Sequence, residues 1–399
     1  MRAHRRITAT LVALLLVTGA CDAGDDPPAS DPTSTPAEPD PTGEADPPTQ
    51  PDDGGEPDDA EPDDEAAGTE DPPEATGTEP VDLQVRTVVT GLEAPWDVVD
   101  HAGRVLVTER DTGRLLEISG DGDHTEVRRF PVDATGEGGL LGLASDDVSL
   151  FVYYTADDGN RVVRLDDVDG GEEQPLLTGI PKGPTHNGGR LAIGPDEQLY
   201  VGTGDAGNAA SAADLDALAG KILRVARDGQ VPADNPFDGS PVWTLGHRNV
   251  QGLAFDPEGR LWAAELGPDV DDEINLIEAG QDYGWPEVTG APGVDGLVDA
   301  AFVAQPAEAS WSGAAVVDGG AIPQWEGDLL VTGLRGERLW RLTLDGATVT
   351  AAEELHVGEF GRLRTARVAP DGSVWLLTSN RDGRGSPTDE DDRLLRVGP

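Results

Sequence analysis

From residue 81 onward the chain is a succession of short apolar runs separated by Gly, Asp and Pro, and almost nowhere do apolar positions recur at helical spacing. This pattern predicts an all-β fold. The runs also recur in register. Each unit holds an apolar run, a tight turn, a second run, and then a third run with a basic residue in or beside it. The second runs begin at Val105, Phe151, Leu199, Leu261, Leu329 and Val374, at spacings of 46, 48, 62, 68 and 45 residues. The third runs occupy 113–118, 161–165, 221–225, 273–277, 338–342 and 393–397. Six such units, each able to form a small antiparallel sheet, predict a six-bladed β-propeller, with an open solenoid of the same units as the alternative. The last unit stops at its third strand, while an unassigned strand at 81–89 precedes the first. That strand is expected to complete the last blade and close the ring.

Ahead of the repeats the pattern changes twice. Residues 1–20 carry a basic start, Met1-Arg2-Ala3-His4-Arg5-Arg6, and then an apolar run from Ile7 to Val17. At eleven residues the run is too short to cross a bilayer, which takes about 20, so it reads as a signal segment. It ends in Val17-Thr18-Gly19-Ala20-Cys21, which resembles the lipobox of bacterial lipoproteins; cleavage before Cys21 would make it a diacylated N-terminus. Ordinary cleavage near Ala20 with an incidental cysteine is the alternative. Cys21 is the only cysteine, so the rest of the chain holds no disulfide. Residues 22–80 contain 21 Asp and Glu, 14 of the 32 prolines, no Lys or Arg, and no Val, Ile, Leu, Met, Phe, Trp or Tyr. Nothing in residues 21–80 can bury a core, so this segment is expected to be a disordered acidic tether.

Charge then separates cleanly. The formal net charge is −49, and residues 81–399 account for −31 of it, with 56 acidic and 25 basic groups. A folded body this acidic argues against a nucleic-acid partner. The membrane is expected to be met through the lipid anchor alone, on the outer, extracytoplasmic face of a bacterial cell membrane.

In a propeller, equivalent repeat positions fall on one circle, so a residue's rank in its blade says which rim it faces. The turns between first and second strands, such as Asp256-Pro257-Glu258-Gly259-Arg260 and Pro370-Asp371-Gly372-Ser373, are ordinary hairpin chemistry. The opposite rim receives the loops leading into each first strand and those linking second to third. There the chain places His186, Asp205, Arg248, Asn249, Arg335, Arg362 and Arg364, with the turn Glu265-Leu266-Gly267-Pro268. One mouth thus collects a histidine, up to four arginines and carbonyl-rich turns. On an acidic protein such a mouth suits a polyanionic small molecule.

The blocks Gly138-Gly139-Leu140-Leu141-Gly142, His186 through Asp196, Gly246-His247-Arg248-Asn249-Val250-Gln251-Gly252-Leu253, and Gly267-Pro268 through Asp271-Asp272-Glu273-Ile274-Asn275 to Tyr283-Gly284-Trp285-Pro286 resemble, in order and spacing, the soluble quinoprotein glucose dehydrogenases and the related aldose sugar and sorbosone dehydrogenases. The resemblance covers essentially all of 81–399. It implies pyrroloquinoline quinone (PQQ) and calcium as cofactors. It further implies that His186 is the general base that takes the anomeric hydroxyl proton of an aldose as hydride passes to the quinone, giving a lactone. Asp205 would orient His186, and Arg248 and Asn249 would contact the cofactor, the guanidinium stabilising charge on the reducing quinone. Arg362, Arg364 and Arg335 would clamp the quinone's carboxylates. The carbonyls of Gly267 and Pro268 would hold the cofactor's calcium, and Glu273 and Tyr283 match a second, structural calcium site in some members.

Three positions depart from the family's pattern. Glu137 stands where a cofactor-binding glutamine is common, and a carboxylate there would repel a tricarboxylate unless protonated or metal-bound. Thr185 replaces an acidic neighbour of the histidine, and the segment 306–313 leading into blade five differs from the usual one. The short second-to-third loops leave little material for a dimer interface, so a monomer is expected. The expected function is a quinone-dependent aldose dehydrogenase that passes electrons to an external acceptor. Two alternatives stand beside it: a calcium-dependent lactonase on the same fold, which would need a carboxylate-lined central metal, and a non-catalytic propeller that binds carbohydrate or protein.

Overall fold

The computed structural model describes residues 79–399. The expected signal segment, Cys21 and the tether through residue 78 lie outside the described residues. Six four-stranded antiparallel sheets form the fold, and each of the first five is a run of four consecutive strands. Blade one is Pro95–His101, Arg104–Glu109, Arg114–Ile118 and His124–Arg129. Blades two to five start at Leu140–Ser145, Leu191–Ile193, Val250–Phe255 and Trp311–Val316. Blade six is Leu363–Val368, Val374–Thr378 and Leu394–Gly398, and its fourth strand is Gln84–Val89 from the other end of the chain. Gln84 pairs with Gly398 and Thr87 with Leu395, so the ring is closed as the repeat pattern predicts.

Burial falls from the first strand of a blade to its fourth. In blade two every residue of the second strand, Leu150–Ala156, is buried, whereas in blade five the fourth strand, Thr348–Leu355, is exposed at most positions. The inner strands lie between two neighbouring blades and must be apolar on both faces, whereas the outer ones meet water. The six buried clusters sit one at each seam between blades. At the closing seam, Val98, Val107 and Leu116 of blade one pack with Val89, Leu377 and Leu394 of blade six. A solenoid would leave that surface bare.

Polar chemistry near the axis reinforces closure. Asp97, fully buried on the first strand of blade one, accepts from Arg190 of blade three (2.8 Å), from Arg367 of blade six (3.0 Å) and from the backbone N–H of Leu143 in blade two (3.0 Å). One carboxylate therefore ties four blades. Arg190 also stacks on Trp96, 4.2 Å from the ring centroid, and burial, reinforced by Arg367 and only partly opposed by Asp97, pushes its pKa down to about 10.

Candidate functional site

His186 lies in the loop leading into blade three, with a left-handed backbone (φ 55°) that few non-glycine residues adopt. The neighbouring chain is packed tightly around it: a Cβ on Gly204 would stand 2.1 Å from the His186 carbonyl oxygen and 2.9 Å from Asn249 Oδ1. Gly204 thus fixes two expected site residues at once. The imidazole Nδ1 is 2.7 Å from Asp205 Oδ1. Asp205 in turn accepts from the backbone N–H of Gly207 (2.7 Å) and from Trp285 Nε1 (2.9 Å). Burial alone would raise the Asp205 pKa, but the bonds from His186, Gly207 and Trp285 outweigh it and hold the carboxyl below its usual range. An ionised Asp205 requires Nδ1 to be the donor, which leaves the lone pair of a neutral imidazole on Nε2. Among the described residues Nε2 makes no hydrogen bond, and this side chain is 19% exposed against 2% for Asp205.

The loop that carries Asp205 is anchored by Lys221. This buried ammonium donates to the carbonyls of Ser211 (2.6 Å), Ala212 (2.8 Å) and Ala219 (2.9 Å). Trp285 arrives from the segment that follows the third strand of blade four, and Arg248 lies 5.4 Å from its ring centroid. The backbone N–H of Arg248 donates to Glu265, whose other oxygen is 2.8 Å from His247 Nδ1. The guanidinium Nη1 donates to the carbonyls of Leu266 (2.9 Å) and Gly267 (2.5 Å). Asn249 Oδ1 accepts the N–H of Gly188 at 3.0 Å.

The expected carboxylate clamps are placed differently from one another. Arg364 is buried at the cavity, donates to Gln251 Oε1 (2.9 Å) and Ser312 Oγ (3.3 Å), and has its pKa pushed down to about 9 by burial and by Arg110, Arg362 and Arg190, against Asp382. Arg362 is paired with Asp382 at 2.8 Å, and like His186, Arg248, Asn249 and Arg335 it is not among the residues that line the cavity, which is bounded on the side of His186 and Arg248 by Asn187, Gly188 and Leu266. Arg335 is exposed and makes no hydrogen bond or ion pair among the described residues. Sequence reasoning assigned no role to Trp96, Arg110, Gln251 or Arg384, all of which line the cavity beside Asn187 and Gly188. Arg110 stands in the second-to-third loop of blade one and Arg384 in that of blade six, so the rule of rank within the blade reaches both.

At the turn expected to hold calcium, Gly267 donates its N–H to Asp272 Oδ1 (2.8 Å) and its carbonyl accepts from Arg248. Pro268 is half-buried beside it. Glu273 accepts from the N–H of Gly290 (2.6 Å) and from Asn275 Nδ2 (3.1 Å), while burial and the nearby Glu265 push its pKa up to about 8. Tyr283 stacks on His247, ring centroids 4.7 Å apart, and its hydroxyl donates to the Leu276 carbonyl at 2.6 Å. Among the described residues no three His, Cys, Asp or Glu side chains surround a common metal position.

The sequence profile described as Glucose / Sorbosone dehydrogenase matches residues 92–395. Over 358 residues the chain is 29% identical to the aldose sugar dehydrogenase YliI of Escherichia coli strain K12, covering 80% of this chain and 94% of that one. It is 35% identical over 232 residues to quinoprotein glucose dehydrogenase B of Acinetobacter calcoaceticus, 47% of this chain and 48% of that one. The solved PQQ-bound aldose sugar dehydrogenase of Streptomyces coelicolor is 42% identical, with a TM-score of 0.74 over 80% of this chain and 99% of that one. A closed six-bladed ring, a carboxylate-fixed histidine and an arginine-lined mouth accompany these likenesses, and the chain belongs to the glucose/sorbosone dehydrogenase family.

Proposed function

We infer that this chain is a quinoprotein that oxidises the anomeric hydroxyl of an aldose to the lactone, with PQQ and calcium held at the arginine-lined mouth. The observation that carries this reading is a set of orphaned donors. Arg248 Nε, Asn249 Nδ2 and Arg364 Nε are buried without any hydrogen-bond partner among the described residues. Buried donors left unmade are costly, of the order of 1–3 kcal/mol each. Arg364 lines the cavity, while Arg248 and Asn249 lie behind its lining residues Leu266 and Gly188, so a polycarboxylate there would satisfy Arg364 directly and the other two once their side chains turn toward it. These residues therefore fit the group. Arg364, Arg248 and Asn249 would hold it, and the carbonyls of Gly267 and Pro268 are hard oxygen donors suited to calcium. The Gly267 carbonyl accepts from Arg248 Nη1 through one lone pair, and its second would be available to calcium.

When bound, the quinone supplies a two-electron acceptor and the calcium a Lewis acid that polarises it. The chain's own residues manage the proton. Asp205 holds His186 with its Nε2 lone pair free, and Nε2 takes the proton of the anomeric hydroxyl while the C1–H electron pair leaves the sugar as hydride. Trp285 keeps Asp205 from turning away. An external acceptor would take up the two electrons, and the proton on His186 goes to solvent through its exposed edge.

Reconstitution tests this reading. Purified apo-protein supplied with PQQ and calcium should bind the quinone and reduce a dye when given aldoses. Absence of quinone binding by the wild type would overturn it, and lactone opening without quinone would point to the hydrolase instead. For the chain's location, Cys21 as lipid anchor puts the propeller outside the cytoplasmic membrane. Cys21→Ser should then move the protein from the membrane fraction to the medium, and unchanged fractionation would remove the anchor.

A further inference from the structure

Glu137, in the loop leading into blade two, uses its carboxylate twice. Oε2 accepts the backbone N–H of His186 at 2.9 Å, and Oε1 accepts Nη2 of Arg384 at 2.8 Å. Arg384 belongs to the second-to-third loop of blade six, so the pair bridges the cavity mouth from blade two to blade six. The partners differ in exposure: the Glu137 side chain is 17% exposed and that of Arg384 58%. The reach of Arg384 is set by its backbone. Its N–H donates to Asp382 Oδ1 at 2.9 Å, the same side chain that pairs with Arg362, and a Cβ on the next residue, Gly385, would stand 2.6 Å from the Asn380 carbonyl oxygen.

An ion pair with so exposed a partner contributes only about 0–1 kcal/mol to folding, so stability does not explain it. Charge at the mouth does. Glu137 is the one carboxylate among the residues lining the cavity, facing Arg110, Arg364 and Arg384. Burial would raise its pKa, but the His186 N–H and Arg384 outweigh burial and keep it below the usual range. An ionised carboxylate fixed at this point repels an arriving carboxylate. Arg384 cancels that charge, and four of its five N–H donors remain for another acceptor.

We propose that Arg384 is a cofactor-holding residue: it neutralises Glu137 and closes over the mouth, donating to a carboxylate of the bound quinone. Glu137 is then a positioning residue, holding the His186 backbone through an oxygen that glutamine also possesses. The proposal rests on the reading that a polycarboxylate quinone occupies this cavity.

Equilibrium dialysis of calcium-supplemented apo-protein against PQQ tests it, with wild type, Arg384→Gln, Glu137→Gln and the double variant. The effect to expect is the loss of one charge-assisted hydrogen bond to the quinone carboxylate, so Arg384→Gln should weaken binding by about 10-fold or more. Glu137→Gln should bind at least as tightly as wild type, and the double variant should recover at least about 5-fold of the loss, because the repelling charge has gone. Arg384 is exposed, so its replacement leaves the fold in place, which an unchanged thermal midpoint checks. A change under about 3-fold for Arg384→Gln, or a double variant no better than Arg384→Gln alone, overturns the proposal. These outcomes require a wild type that binds PQQ; a wild type that does not bind overturns the cofactor reading itself, and the two failures are told apart by that lane alone.

Discussion

His186→Ala is expected to lower kcat/KM for aldose oxidation by about 10²–10⁴-fold while leaving PQQ binding nearly unchanged. The size follows from what the side chain does. Nε2 is the free imidazole nitrogen at the mouth, and without it the anomeric proton must go to water, which is neither fixed nor of suitable basicity. The binding part follows from geometry, since the orphaned donors belong to Arg248, Asn249 and Arg364 and not to His186. Asp205→Asn should share much of the loss: the amide can present its NH2 to Nδ1 and so favour the tautomer that leaves Nε2 protonated. Stopped-flow reduction of the bound quinone by a saturating aldose measures the step directly. Equal rates in wild type and His186→Ala would remove it as the base.

The second large effect concerns the ring itself. Asp97→Asn is expected to destabilise the protein by about 3–5 kcal/mol, the cost of leaving a buried charge without its partner. Asparagine is nearly the same shape, so packing survives, but Arg190 loses its counter-charge while 2% exposed and stacked on Trp96. Arg367 loses the same partner. The chain's remedy, deprotonating a guanidinium, is far from neutral pH even for an Arg190 shifted to about 10. Denaturant unfolding followed by tryptophan fluorescence would show it, and a loss below about 1 kcal/mol would mean that the four blades do not depend on this carboxylate.

Much of this architecture is legible in the sequence, for a reason visible in the burial. Second strands such as Leu150–Ala156 lie between two blades, are buried throughout and are apolar at nearly every position, so they stand out and repeat. Fourth strands do not. Thr348–Leu355 and His124–Arg129 face water along most of their length, their composition is that of a loop, and no apolar run marks them. The closing strand was an exception because Leu83, Val85, Val88 and Val89 pack into the flanking seams.

The site divides in the same way. Rank within a blade brings His186, Asp205, Arg248 and Asn249 to one rim, and their hydrogen bonds follow from backbone placement. What rank does not give is where a long side chain ends. Arg362 lies just before the strand Leu363–Val368 and Arg364 within it, yet Arg362 turns to Asp382 and Arg364 to Gln251. Trp285 lies 80 residues beyond Asp205 in a stretch without repeat register, and only folding reveals its indole N–H on that carboxylate. Against an acidic surface, −31 over residues 81–399, arginines gathered on one rim stand out, but where each guanidinium ends does not.

The manner of ring closure also fixes an order in time. Gln84–Val89 is made before any blade exists, yet its partner Leu394–Gly398 is made after every other strand of the ring. Blades one to five can form as they emerge, since each is a run of neighbouring strands. The sixth cannot, and until it does the seam containing Trp375 and Leu377 stays open, with unpaired strand edges and bare apolar surface. Blade six is therefore completed only after every other strand has been made, and the chain must be kept from aggregating until its first strand meets its last.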